Sequence, residues 1–182
     1  MLPSVPEATM KRTLILLCLP ALFLLGCATE PKPEPKKGFE HATGGNNLKN
    51  MRDDAANLAA LPEHKAPRVE VQHLLISFAG TGTEAARTMQ EAENLASEVY
   101  ARVLAGEDFE ELITRYTDDS PPGIYGMVAD KAEAGKDGPY WRKGMVAAFG
   151  NVAWRLEVGE IGIAAYDKND SPYGWHIIKR LK

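Results

Sequence analysis

Histidines have the clearest chemical potential in this sequence, because imidazole is the side chain that changes charge near neutral pH. Two of the four, His73 and His176, fall on predicted strands near the two ends of the region 68–182. Two rings brought together from such strands could set the polarity and proton balance of a site. A single histidine on an apolar strand face is more often a satisfied core residue, so each ring alone has a structural explanation. His41 and His64 lie in a proline-containing stretch, where we expect solvated side chains and no metal site.

Other candidate residues are one carboxylate and two large apolar side chains. Asp119 follows a predicted helix in a turn-rich stretch, where a solvated turn residue would also be ordinary. Met145 and Phe149 are four residues apart and share a helix face, so they could line a pocket or pack in a core. Both cysteines lie within the first 27 residues, which excludes a disulfide framework or a thiolate zinc site in the remainder.

Alternation of apolar residues predicts the strands that would carry the two histidines. Residues 69–76 alternate so that His73 shares a face with two valines and a leucine. Two further strands are predicted at 161–166 and 173–181, and the second of them carries His176.

Apolar stripes at helical spacing predict the helices between these strands. They cover about residues 84–105, 109–116 and 149–156, with a further short helix at 48–61. Thr81 or Thr83 could cap the start of the longest helix, and Gly106 suits its end. The glycine-rich residues 124–144 are predicted to be a long loop. The order of elements predicts an α+β fold, with three to four helices packed on a small antiparallel sheet.

The first 67 residues have the pattern of an export signal followed by a tether. Lys11 and Arg12 precede a short apolar run, and the sequence up to Cys27 resembles the bacterial lipobox, in which this cysteine is lipidated. We therefore expect a lipoprotein signal peptide over 1–26 and a proline- and charge-rich linker over 27–67. Ala28 after the cysteine favours lipid anchoring in the outer membrane, facing the periplasm. An ordinary signal peptide with an incidental cysteine is the alternative.

The composition limits the class of protein further. The chain has 182 residues, of which 45% are apolar and 25% charged, with a formal net charge of −4, values typical of a globular domain. No cluster of Lys and Arg lies in the body of the chain, so no nucleic-acid partner is expected.

The motifs of region 68–182, taken in order, resemble the parvulin (rotamase) family of peptidyl-prolyl cis/trans isomerases. The resemblance rests on Val-Gln-His-Leu-Leu-Ile at the start, Gly-Trp-His-Ile-Ile-Lys at the end and Leu-Glu-Val-Gly-Glu-Ile between them. It implies the parvulin-like α+β fold, over essentially all of that region. No cofactor and no metal are implied.

The resemblance also implies roles for particular residues. His73 and His176 match the paired histidines of the central strands, and Asp119 matches the active-site Asp or Cys. Met145 and Phe149 match the apolar pocket that holds the proline ring. The expected set is completed by Met127 as a further pocket residue and by Ser120 and Ser171 as hydroxyls beside the site.

The implied activity is isomerisation of X–Pro bonds in unfolded or proline-containing exported polypeptides, by an enzyme that a lipid holds at the cell envelope. Two alternatives remain. One is a parvulin-fold peptide-binding or chaperone module with weak or no catalysis, and the other is a structural lipoprotein of an envelope assembly.

Two features depart from the family pattern. The common Gly-Gly-Asp-Leu-Gly stretch is replaced by residues 123–128, Gly-Ile-Tyr-Gly-Met-Val, followed by a longer, more polar loop at 129–142. The loop at 78–84 has no Lys or Arg, so selectivity for phosphorylated Ser/Thr-Pro sites is not expected.

Overall fold

The computed structural model describes residues 46–182, so the expected signal peptide, Cys27 and most of the linker lie outside the described residues. The helices and strands in this part are α1 (Asn47–Ala60), β1 (Arg68–Ile76), α2 (Met89–Leu104), α3 (Phe109–Tyr116), β2 (Ile124–Val128), β3 (Tyr140–Trp141), α4 (Ala147–Arg155), β4 (Ile161–Ala164) and β5 (Trp175–Arg180). Two 3-10 turns, Lys131–Glu133 and Arg142–Gly144, flank β3. The expected α+β architecture is confirmed, and none of the helices within 46–182 is long and apolar enough to cross a bilayer.

The sheet has the strand order β3-β2-β1-β5-β4. Strands β1 and β5, the first and last along the chain, lie side by side at its centre. Three of the four pairings are antiparallel as expected, whereas β3 runs parallel to β2. The sheet is therefore mixed, and the stretch expected to be one long loop supplies two of its strands.

The two faces of this sheet carry separate apolar clusters, because side chains alternate along each strand. We call the side that bears Leu74 and Ile177 the closed face; helices α2 and α3 cover it with one cluster. We call the side that bears Val71 and Ile178 the cavity face; helix α4 covers it with a second cluster. Each cluster is buried independently, although both draw on the same central strands.

Helix α1 confirms the short helix expected at 48–61 within the predicted linker, and it packs against the sheet. Met51 belongs to the cluster of the closed face and Leu58 to that of the cavity face, so α1 crosses the outer edge of β4. Gly162 makes this possible, because a Cβ there would stand 2.6 Å from Leu58 Cδ2. The side chain of His64 is only partly solvated, because the residue is half-buried and its Nε2 lies 3.2 Å from the carbonyl oxygen of Arg155.

Helix α2 begins later than the sequence indicates. Thr88 caps it instead of Thr81 or Thr83, accepting from the backbone N–H of Glu91 (3.2 Å) while the Glu91 carboxylate accepts from the N–H of Thr88 (2.7 Å). The residues between β1 and this cap form a loop at the mouth of the site described next.

Candidate active site

The two strand histidines meet on the cavity face. In the β1–β5 register His176 is opposite Leu75 and His73 is opposite Ile178, so the two imidazoles are diagonal neighbours. Their Nδ1 atoms are 3.3 Å apart and their rings stack at 5.4 Å between centroids. Each residue is only 4% exposed. The predicted contact between rings from opposite ends of the domain is confirmed.

Asp119 extends this pair into a chain of three groups. Its Oδ2 lies 3.1 Å from His73 Nε2. The hydrogen bond from His73, helped by the backbone N–H of Ser120 and by Tyr125, holds the pKa of Asp119 far below its usual range. Burial, reinforced by the neighbouring His73, lowers the pKa of His176 to about 3. At neutral pH the site therefore contains an anionic Asp119 and a neutral His176.

The carboxylate fixes one proton of this chain. A carboxylate only accepts, so we assign the proton of His73 that faces Asp119 to Nε2. The two Nδ1 atoms then share one proton across their 3.3 Å contact. The Nε2 atom of His176 has no hydrogen-bond partner among residues 46–182.

The turn after α3 positions Asp119 by pairing with β1. The Thr117 hydroxyl accepts from the N–H groups of Leu75 and Asp119, both at 3.2 Å. The N–H of Asp118 donates to the carbonyl of Leu75 (2.8 Å). Gly123 allows this turn to lie close to β1, because a Cβ at residue 123 would stand 2.3 Å from the carbonyl oxygen of His73.

The adjacent carboxylate of Asp118 has a different environment. It accepts from the guanidinium of Arg87 through both oxygens and from the N–H of Ser77 (2.7 Å). Arg87 also donates to the carbonyl of Ser77 (2.8 Å). The charge of Arg87 is therefore already paired with Asp118, whereas the carboxylate of Asp119 contacts His73 and Tyr125.

A cavity of about 270 Å³ opens beside the Asp119–His73–His176 chain. Aromatic rings form much of its wall: Phe149 packs edge-on against His73 at 5.1 Å and against His176 at 5.6 Å. Met145 lies on the wall as well, immediately before α4. The remaining lining residues are Leu75, Thr83, Asp118, Tyr125, Val146 and Tyr173. The cavity is thus mainly apolar, with two carboxylates on its wall, of which Asp118 is paired with Arg87.

Three residues of the expected set do not reach this wall. Met127 is fully buried in the cluster of the cavity face, where it pairs with Val69 of β1. Ser171 is fully buried, and its hydroxyl donates to the carbonyl of Gly174 (2.9 Å). Ser120 is exposed and does not line the cavity. The Ser120 backbone N–H, not its hydroxyl, is what contacts Asp119.

Tyr125 is a side chain in contact with the Asp119 carboxylate that sequence reasoning missed. Its hydroxyl donates to Asp119 Oδ2 (3.1 Å), and its ring stands edge-on to His73 at 5.2 Å. Burial and the nearby carboxylate raise the pKa of Tyr125 to about 12, so the hydroxyl keeps its proton. The register pairs Tyr125 with Val71 on the cavity face. Alternation would have shown this, had residues 124–128 been recognised as a strand.

The loop at 77–83 closes one side of the mouth through hydroxyl groups. Ser77 donates to the carbonyl of Tyr173 (2.5 Å), and Thr83 donates to Ser77 (2.9 Å). Gly174 allows the two segments to approach, because a Cβ there would lie 2.1 Å from the carbonyl oxygen of Ile76. Within residues 46–182 no group of three His, Cys, Asp or Glu side chains is arranged to hold a metal ion.

Comparisons with known proteins identify similar sequences and structures. The family model described as the PPIC-type PPIASE domain matches residues 57–182. The foldase protein PrsA of Oceanobacillus iheyensis is 33% identical over 124 residues, covering 68% of this chain and 32% of the relative. The chaperone SurA of Chromohalobacter salexigens is 34% identical over 110 residues, covering 60% and 21%.

The foldase protein PrsA 4 of Bacillus cereus is 28% identical over 119 residues. This chain spans about a third of the length of the PrsA relatives, 33% of the Bacillus protein and 32% of the Oceanobacillus protein. Among solved structures, the peptidyl-prolyl isomerase ESS1 from Candida albicans aligns with a TM-score of 0.48 and 21% identity, over 79% of this chain and 80% of that one.

Proposed function

Since the chain belongs to the family of PpiC-type peptidyl-prolyl isomerase domains, we propose that it isomerises X–Pro bonds in exported polypeptides. The observation that carries the proposal is the apolar cavity of about 270 Å³ whose wall joins Met145 and Phe149 to the Asp119–His73–His176 chain. An apolar, ring-lined cavity of this kind suits a pyrrolidine ring.

The reaction requires a site that binds the proline ring, and it requires no energy source. Rotation about the X–Pro bond crosses a barrier of about 18–20 kcal/mol, while the two planar forms differ by only about 0.5–1 kcal/mol. A cavity that holds the proline ring and leaves the preceding carbonyl free to swing binds the twisted amide better than either planar form. Each ~1.4 kcal/mol of that preference accelerates isomerisation about tenfold.

The charge of Asp119 adds to this preference. In a planar amide, conjugation places negative charge on the carbonyl oxygen, and twisting removes part of it. A fixed anion beside the oxygen disfavours the planar forms more than the twisted one, which lowers the barrier. His73 and His176 then act as positioning residues that hold Asp119 ionised and oriented, without exchanging protons with the client.

A protease-free assay with a proline peptide tests this activity on the purified full chain. We expect relaxation faster than the uncatalysed reaction, which takes about 10–100 s. Met145→Ala should slow it, whereas Met89→Ala, at an exposed position on α2 away from the cavity, should not. If the protein binds the peptide but does not accelerate its isomerisation, the enzyme proposal is wrong and the chaperone-like binding module is the function that remains.

The location of the protein is a second part of the proposal. We place Cys27 as a lipidated residue after a signal peptide over 1–26, with the anchor in the outer membrane facing the periplasm and a tether leading to the domain. Two relatives named foldase or chaperone support a role in folding exported polypeptides. Tethering would keep the enzyme close to emerging clients.

Lipid labelling tests the anchor directly. Labelled fatty acid should enter the wild-type chain and Cys18→Ser but not Cys27→Ser, because only the second change removes the lipobox cysteine. Fractionation of the cell envelope then shows which membrane carries the labelled protein. Equal labelling of both variants would contradict the lipobox interpretation.

A further inference from the structure

A second cavity borders the one described above. It has a volume of about 330 Å³, and Met145 belongs to the walls of both. Its other lining residues are Glu63, Arg142, Lys143, Ala147 and Asn151. A polypeptide whose proline occupied the first cavity would therefore carry a neighbouring side chain over or into the second.

Arg142 forms a fixed part of this second cavity. Its guanidinium stacks on Trp154 at 4.6 Å and donates to Glu63 Oε1 (2.5 Å) and Asn151 Oδ1 (2.9 Å). The side-chain stem lies against Gly150, where a Cβ would come within 3.3 Å of Arg142 Cγ. Contacts on several sides hold this guanidinium in one position, so it does not have to be ordered when a client binds.

The charges around the second cavity favour an anion. Glu63 lies between Arg142 and Arg155, whose nearest nitrogens are 2.5 and 3.6 Å from its Oε1. These cations lower the pKa of Glu63, so it remains ionised. Lys143 is exposed and has no acidic partner within 4 Å in the part of the chain that the structure describes. The cavity is thus lined by the cations Arg142 and Lys143 and by the single carboxylate of Glu63, which Arg155 also contacts from outside the lining.

The opposite side of the first cavity differs. There Asp119 presents a negative charge, and Arg87 is occupied by Asp118. An acidic group of a client would meet repulsion at Asp119 and, among the residues that line the two cavities, would find a cation without an acidic partner only at Lys143. The groove formed by the two cavities therefore has a negative charge at one end, from Asp119, and a positive charge at the other, from Lys143.

We propose that the second cavity is a subsite for an acidic side chain adjacent to the client's proline, with Lys143 as its cation and Arg142 as its fixed donor. The inference deepens the proposed function and rests on it. It assigns the site a preference for proline flanked by Glu or Asp over proline flanked by the neutral amide.

Matched peptides test the subsite on the purified full chain. Glu and Gln are placed directly before proline in one pair of peptides and directly after it in another. We expect a Glu-to-Gln ratio of kcat/KM of about three at one of the two positions, the size of a partly exposed charge pair, and a smaller ratio at high salt. Lys143→Gln should bring the ratio to about one. Lys143→Glu should make a Lys peptide the better substrate at that position.

Lys136→Gln is the matched control, because it removes the same charge from an exposed residue that lines neither cavity. It should leave the ratio unchanged. A ratio of one at both positions in the wild type, or an unchanged ratio in Lys143→Gln, overturns the subsite. If no peptide is isomerised, the proposed function fails instead, and dissociation constants of the same four peptides still decide on the subsite.

Discussion

The closed face and the cavity face of the sheet use the same two central strands for different purposes. On the closed face Leu74 and Ile177 are fully buried under α2 and α3. On the cavity face the neighbouring residues His73 and His176 border an open space beside α4. A strand places successive side chains on opposite sides, so one side can be packed for stability while the other holds polar groups and a void.

The difference between the faces shows where stability and activity should separate. Burial on the closed face stabilises the fold by close packing. The cavity face gives up part of that packing and buries imidazoles, which costs stability unless they are hydrogen bonded. Substitutions one residue apart along β5 can test whether the two roles are separable.

Ile177→Ala should produce the largest change in stability. Removing a buried isoleucine side chain from the closed face should lower the free energy of unfolding by about 3 kcal/mol, measured by denaturant titration. The kcat/KM of the folded fraction should be unchanged. Ile178→Ala, on the cavity face opposite His73, should lower both quantities. Equal loss of activity in the two variants would contradict the division between faces.

Phe149→Ala should chiefly affect activity. The ring contacts His73 and His176 and lines the cavity, so its loss should reduce kcat/KM by about thirtyfold, equivalent to about 2 kcal/mol. Val152→Ala, one turn further along α4 and away from the cavity wall, should destabilise the fold with little effect on kcat/KM. A similar activity loss in both would mean that α4 acts only as packing.

Acid should destabilise the cavity face through His176. Its folded pKa is about 3 and its ordinary value 6.5, so between these pH values the unfolded chain binds a proton that the folded chain does not. This contribution is complete above pH 6.5 and is lost as the pH falls toward 3. It amounts to about 2 kcal/mol between pH 7 and pH 5. Melting curves of His176→Asn should therefore depend less on pH over that interval than those of the wild type. Parallel curves would refute the buried, neutral histidine.

Tyr125→Phe should have the smallest effect. It removes one of the side-chain donors to Asp119 but keeps the ring, so we expect kcat to fall about fivefold with KM nearly constant. Tyr140→Phe is the control, since that ring lies 5.8 Å from Tyr125 and its hydroxyl makes no contact with Asp119. A rise in KM alone would show that Tyr125 serves only as a cavity wall.

Alternation was sufficient to place the strand histidines of the site. His73 could be assigned to one face because β1 is long and rich in branched residues. Helical spacing did not place Met145, because this residue lies before α4 and not on it. The resemblance in motif order assigned Met145 and Phe149 to the cavity wall, and it added Asp119, which no local pattern distinguishes from a turn residue.

What could not be predicted depends on contacts between distant segments. Tyr125 lies in a short strand with two glycines nearby, and only its pairing with β1 makes that segment a strand. The apolar stripe of helix α1 is too narrow to predict which part of the sheet the helix covers. Ser171 looks like a site hydroxyl by its position, but its partner is a backbone carbonyl three residues away.

The lack of a side chain at Gly162 has a practical consequence for the choice of shorter fragments of this protein. Leu58 rests where a methyl group would otherwise stand, and with α1 in place the outermost strand is shielded. A fragment begun at residue 66 would lose that helix and leave β4 as an unprotected template for a second molecule. Soluble preparations should therefore start before residue 47, because shorter ones invite self-association, and inactivity of such a fragment would not test the proposed activity.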